Sequence, residues 1–206
     1  MGYSHRWYRE KEFPASSFEA FAEDVEKILE GAEQKGIDLA GRDGRGRPVV
    51  TRSRVAYNGS VEQSPGPWTT EEAAPVPWPD DEAGLREPAS DPSKQKTSGR
   101  WVAGTLVSQP VAPDRDGSYE PFSIPQVLSP PSWRTPPENG RWFKHCKTGY
   151  RPYDIAVQAT LLAAKRHFGD RIRIDSDGSE SDWLNGLFLC VSTCGYGEQL
   201  PVWSDE

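Results

Sequence analysis

The stretch DIAVQATLLAAKRHFGDRIRID, residues 154–175, changes its hydrophobic period part-way through. Its first part is apolar on most sides, which predicts a central, buried helix. Asp154 suits the N-cap, where a carboxylate accepts otherwise orphaned amide protons, and Gly169 suits the stop. RIRID then alternates Arg171 and Arg173 with Ile172 and Ile174, the pattern of a strand with one buried face. In the turn DSDGSESD, Ser179 and Asp182 stand at capping-box spacing. Trp183, Leu184, Leu187, Phe188, Val191 and Cys194 mark a last helix closed by Gly195.

Working outward, GYSHRWYR near the start places Tyr3, His5 and Trp7 on one face and Ser4, Arg6 and Tyr8 on the other, a first strand. SSFE, residues 16–19, has capping-box form. Phe18, Phe21, Ala22, Val25, Ile28, Leu29 and Ala32 follow at helical spacing up to Gly36. VVTRSRVAYNG, residues 49–59, reads as a strand ending in an Asn-Gly turn, with Asn58 supplying positive φ. GRWVAGTLVSQPV, residues 99–111, reads as another strand. A turn at DRDG leads to its partner SYEPFSI, and RWFKHC is a short extended piece. Strands interleaved with helices in this order predict a single α+β domain over residues 1–206. A largely antiparallel sheet carries about three helices on one side.

Composition locates what lies outside that core. The chain has 206 residues, 35% of them hydrophobic, and 15 of its 19 prolines fall between Ser60 and Gly140. Residues 60–99 predict a mobile acidic insertion bearing Trp68 and Trp78, and residues 125–140 a Pro-rich loop. The formal charge is −7. Eight acids against three bases within residues 60–96 carry most of it, so the folded remainder is nearly neutral. That balance excludes nonspecific coating of nucleic acid by a basic surface. No apolar run approaches the roughly 20 residues of a membrane span. The opening MGYSHRWYREKEF has no apolar signal core, and Arg6 stands where an acylation signal needs Ser or Thr. The expected setting is therefore soluble, reducing and cytoplasmic.

Three cysteines, at 146, 190 and 194, make neither an even disulfide framework nor a CxxC knuckle. Cys190 and Cys194 share a helix face and read as core packing. DSDGSESD fails the calcium-loop pattern. Neither a metal nor a cofactor is expected.

The polar residues that could carry function centre on HCKTGYRPYD, residues 145–154. Lys147 and Thr148 precede a helix N-terminus, where free amides and the dipole favour an anion. Tyr153 and Asp154 follow, as contacts or as a cap. No Gly-rich loop precedes the Lys-Thr pair, which argues against a nucleoside triphosphatase. Adjacent His145 and Cys146 point to opposite faces of a strand, so a thiol nucleophile would need His5 as its base. Arg6 and Tyr8 suit an anion or a stacked base, with Tyr3 and Trp7 as other stacking candidates. Asn58, Ser176 and Asp177 complete the set.

GYSHRW, YNG, EPF, HCKTGYRPYD and DSDG occur in that order. Their succession resembles a family of small phage and prokaryotic proteins with GYTHYW-like starts, FNG, an E-x-F piece, FCKT…PYD and an SDG turn. The resemblance spans both ends of the chain, roughly 130 residues. Two departures stand out: His145 replaces a usual aromatic residue, and the stretch between YNG and EPF is far longer. The family supplies no activity to carry over. It implies a phage setting, in which such a protein can counter host defence by sequestering a nucleotide signal.

Three functional expectations follow. The first is a non-catalytic binder of an anionic small molecule, such as a nucleotide, contacted by Lys147, Thr148, Tyr153, Asp154, Arg6, Tyr8, Asn58, His5, Ser176 and Asp177. The second is a small hydrolase or transferase using His5, Cys146 or Asp177. The third is an interaction module gripping a host protein through the Trp-bearing insertion. A homodimer is compatible with a small sheet that has an open edge.

Overall fold

A computed structural model describes residues 3–63, 100–102, 105–107, 116–131, 137 and 140–196. The expected insertion, with Trp68 and Trp78, lies almost wholly outside them. The architecture is α+β, with antiparallel pairing in every sheet.

β1 (Ser4–Arg9) is the centre of a three-stranded sheet, flanked by β8 (Trp142–Lys147) and β9 (Ile172–Ser176). Its alternation holds: Tyr3, His5, Trp7 and Arg9 are buried, whereas Ser4, Arg6 and Tyr8 stay partly exposed. The second sheet orders β2 (Leu39–Ala40), β4 (Arg54–Gly59) and β3 (Val49–Thr51), with β7 (Phe122–Pro125) also paired to β4. β5 (Arg100–Val102) and β6 (Thr105–Val107) form a ribbon of their own.

Three strand expectations need correction. Residues 99–111 are not one strand, since Arg100–Val102 pairs antiparallel with Thr105–Val107. Residues 49–59 are not one strand ending in a turn but a hairpin. Its reversal lies at Arg52–Ser53, where the Thr51 hydroxyl accepts from the amides of Ser53 and Arg54. Residues 118–124 do not pair with 99–111. Phe122 is opposite Tyr57 and Ile124 opposite Val55, because β4 offers a second edge and a buried face for both.

α1 (Ala15–Gln34) turns Phe18, Phe21, Val25, Ile28 and Leu29 into the core. At about 1.5–3 kcal/mol per large side chain, that face contributes on the order of 10 kcal/mol of transfer energy. Its start corrects the expected capping box. Pro14 is the N-cap, so Ser16 and Glu19 already lie inside the helix. The entry is fixed by Phe13, whose ring stacks on Phe168 at 3.8 Å and whose amide bonds the Gln126 carbonyl. α2 (Asp154–Phe168) is buried on nearly every side, as its all-round apolarity requires. It ends at Gly169, and a single 3-10 turn (Gly169–Arg171) leads into β9. α3 (Glu180–Cys194) carries the expected Ser179–Asp182 capping box and closes at Gly195 in the left-handed conformation.

One buried cation ties the two sheets together. The Arg9 guanidinium donates to the carbonyls of Glu10, Lys11, Pro125 and Gln126 and lies 3.9 Å over the Phe13 ring. Burial pushes its pKa down to about 9, so it stays charged at neutral pH.

Candidate functional site

The inner face of β1 meets the start of α2 in a closed polar network. The His5 Nε2 bonds Asp154 Oδ1 at 2.7 Å, and the Ser176 hydroxyl lies 3.0 Å from His5 Nδ1. Thr148 also donates to Asp154 Oδ1, while Gln158 donates to Asp154 Oδ2 at 2.7 Å. Asp154 is therefore not a cap, as the sequence suggested. Tyr153 is the N-cap, and the Asp154 carboxylate turns inward to collect three side-chain donors. The physical reason is the strand opposite: His5 and Thr148 present buried donors that need an acceptor. Trp183 closes the network edge-on to His5 at 5.0 Å. Tyr150, at φ 60, stacks on Tyr3 at 3.8 Å over its outer rim.

Ser176, His5 and Asp154 stand in hydrogen-bonded series, the order of an acyl-transfer triad. The surrounding donors are already committed, however. The Gly178 amide bonds Ser176 Oγ, the Asp177 amide bonds the Ser4 carbonyl, and the Ser179 amide bonds Asp182. These three amides of the turn are therefore not free to hold an oxyanion.

The ten site candidates separate by burial. His5, Thr148, Tyr153, Asp154 and Asn58 are buried and satisfied from within. Tyr153 bonds the Glu120 carbonyl through its hydroxyl at 2.7 Å, and burial pushes its pKa up. Asn58 supplies no positive φ. It lies in β4 opposite Ala40, and its amide bridges Arg42, Gly59 and Tyr119. At the α2 N-terminus expected to hold phosphate, the amides of Asp154, Ile155 and Val157 already donate to the carbonyls of Arg151, Pro152 and Tyr153. Arg6, Tyr8, Lys147, Ser176 and Asp177 remain at least partly exposed. Arg6 bridges Asp175 at 3.3 Å and Asp177 more closely, which raises its pKa. Lys147 reaches over the Tyr119 ring.

Cys146 is fully buried opposite His5. Its thiol donates to the Glu120 carbonyl at 3.2 Å, and burial holds its pKa far above the range of a reactive thiol. His5 is bonded elsewhere, so the two do not form a nucleophile–base pair.

Sequence reading missed a cleft of about 460 Å3 between the three-stranded sheet and the β4–β7 pair. Trp7, Arg42, Arg54, Ser123, Lys144 and His145 line it, with Pro121, Pro125, Val127 and Leu128 as apolar wall. Among the described residues, no carboxylate does. Arg42 and Arg54 have no ion-pair partner among the described residues, while Arg54 reaches Ser123 Oγ at 3.4 Å. His145 lies 3.5 Å from Glu120. Trp7 is 1% exposed, and its indole Nε1 has no hydrogen-bond partner. The only sequence trace of this cleft is the Arg/Gly run GRDGRGR, residues 41–47, which lies far from Lys144 along the chain.

Among the described residues, no group of His, Cys, Asp and Glu is arranged to hold a metal ion, and no helix is long and apolar enough to cross a membrane. No family model, curated protein or solved structure matches the chain.

Proposed function

We propose that the protein is a non-catalytic binder of an anionic small molecule, with a nucleotide as the favoured class, held in the cleft between the two sheets. One observation carries the reading: Arg42, Arg54, Lys144 and His145 converge from separate segments on a cleft with no carboxylate among its described lining residues, in a chain whose net charge is −7. The volume of about 460 Å3 is that of a small-ligand site. Unpaired guanidinium forks suit phosphate or carboxylate oxygens. The unpartnered Trp7 Nε1 offers a further donor. The cleft moves the anion from Lys147 and Thr148 to Arg42, Arg54, Lys144 and His145. A cytoplasmic phage protein that sequesters a host defence nucleotide is the setting implied by the sequence resemblance.

The test is thermal stabilisation across mono-, cyclic di- and trinucleotides, with chromatography of each ligand afterwards. A ligand at 100 times its Kd adds about 2.7 kcal/mol. The expected result is a shift with the ligand recovered intact, lost in an Arg42→Ala/Arg54→Ala variant that melts like the wild type. Turnover of the ligand, or a shift unchanged in that variant, overturns the reading.

A further inference from the structure

The outer face of the three-stranded sheet is open and carries an aromatic row. Tyr8 and Phe143 lie with ring centroids 5.4 Å apart, and the ring of His145 follows Phe143 at 5.7 Å, inclined by 23°. The three share one face because Tyr8 is opposite Phe143 across the β1–β8 ladder and His145 is two residues along β8. Phe143 is 37% exposed. Phe143, Tyr8 and His145 thus make a contiguous aromatic surface on this face.

The chemistry of the surroundings says what this surface would take. His145 belongs both to this row and to the lining of the cationic cleft, so the two surfaces are continuous. Arg6 holds Asp175 and Asp177 on the β9 side of the face, and Glu120 lies 3.5 Å from His145 on the β8 side. Lys147 shares the face of His145, while Lys144, one residue before His145, lines the cleft. A ligand spanning both surfaces needs planar rings above Phe143 and an anion in the cleft that His145 also lines. A second planar ring is needed over Tyr8.

We infer that the site takes a short single-stranded oligonucleotide. One backbone phosphate enters the Arg42–Arg54–Lys144 cleft while successive bases stack on the His145–Phe143–Tyr8 row. Aromatic platforms bind single strands in this way with little sequence preference, since every base has a π-face. This rests on the cleft reading and adds the polymeric nature of the ligand to it.

The experiment is fluorescence anisotropy with a fluorescein-labelled thymidine hexanucleotide, alongside thymidine monophosphate as competitor and in thermal shift. The hexanucleotide is expected to bind at least tenfold more tightly than the monophosphate. Phe143→Ala and Tyr8→Ala each weaken it by about fivefold or more and leave the monophosphate unaffected, whereas Arg54→Ala weakens both. Phe143→Leu keeps the apolar bulk without the ring and shows the same loss, which separates stacking from a folding defect. A hexanucleotide that binds no tighter than the monophosphate, or ignores Phe143→Leu, overturns the inference and leaves the cleft reading standing. If neither probe binds, the inference falls, and the nucleotide panel alone decides the cleft reading.

Discussion

The His5 imidazole and the Asp154 carboxylate, 149 positions apart in sequence, meet at 2.7 Å in the buried interior. This bond joins the middle strand of the first sheet to the first residue of the central helix. It gives the GYSH and PYD segments one shared structural purpose. In the neutral imidazole, donation from Nε2 to the carboxylate leaves Nδ1 to accept from Ser176.

Removing His5 takes one of three side-chain donors from the buried Asp154 carboxylate and leaves Thr148 and Gln158 in place. His5→Ala is expected to cost about 1–3 kcal/mol, the usual penalty for a lost buried hydrogen bond. The His5→Ala/Asp154→Ala double variant is expected to cost less than the two single losses added together. Urea unfolding of the four proteins measures that coupling; simple additivity would mean the bond contributes nothing specific.

Gly59 tests a different kind of constraint. A methyl there would sit 2.0 Å from the Gly117 carbonyl oxygen and 3.0 Å from the Tyr153 ring. The glycine of YNG is required by close approach of two backbones, not by a turn. Gly59→Ala is expected to destabilise by about 1–3 kcal/mol. Gly140→Asn, in open space at φ +69, is expected to be tolerated. Thermal melts of both variants decide it.

The three thiols sit in different environments. A hydrogen bond from Cys190 lowers the Cys194 thiol to about 7, and Cys194 is partly exposed at the end of α3. Cys190 is pushed up by the same bond and by burial, Cys146 by burial. Iodoacetamide near neutral pH is expected to alkylate Cys194 alone in the folded protein. Mass spectrometry of the peptides reads this directly, and equal labelling of Cys146 would contradict it.

Asp24 supplies the acid limb of stability. It accepts from Lys27 at 2.8 Å, His167 at 2.8 Å and Tyr196 at 2.6 Å, tying the three helices together. Burial raises its pKa, but the bonds from Lys27, Tyr196 and His167 outweigh that and hold it below the ordinary aspartate value. A depressed folded pKa stabilises above the unfolded value of about 3.9 and is lost as pH falls through the folded one. Asp24→Asn is expected to lose on the order of 1–3 kcal/mol at neutral pH. Its stability is also expected to fall less steeply than the wild type's below about pH 4. Chemical denaturation at stepped pH checks both.

Much of the fold was legible because periodicity is a local property. Strand β1, helices α1 and α2, strand β9 and the Ser179 cap each announce themselves within a few residues. The misreadings arose where the deciding partner is remote in sequence. Thr51 rather than the Asn-Gly pair turns the β3–β4 hairpin. Likewise β4 rather than the 99–111 segment captures β7, because only β4 offers a buried face. Of the candidate residues, Arg6 and Tyr8 kept their expected exposed face. Thr148 and Asp154 were chosen for polarity at a helix start and proved to satisfy each other.

By itself the sequence determined which segments are helix and strand, and which face of each is apolar, because those follow from side-chain spacing along one chain. Only the tertiary structure decided that the polar residues around Asp154 close on one another inside the core. It likewise brought Arg42, Arg54 and Lys144 to one cleft. A buried carboxylate must find its donors, and like charges gather only where the backbone holds them, and neither condition can be read from neighbours in sequence.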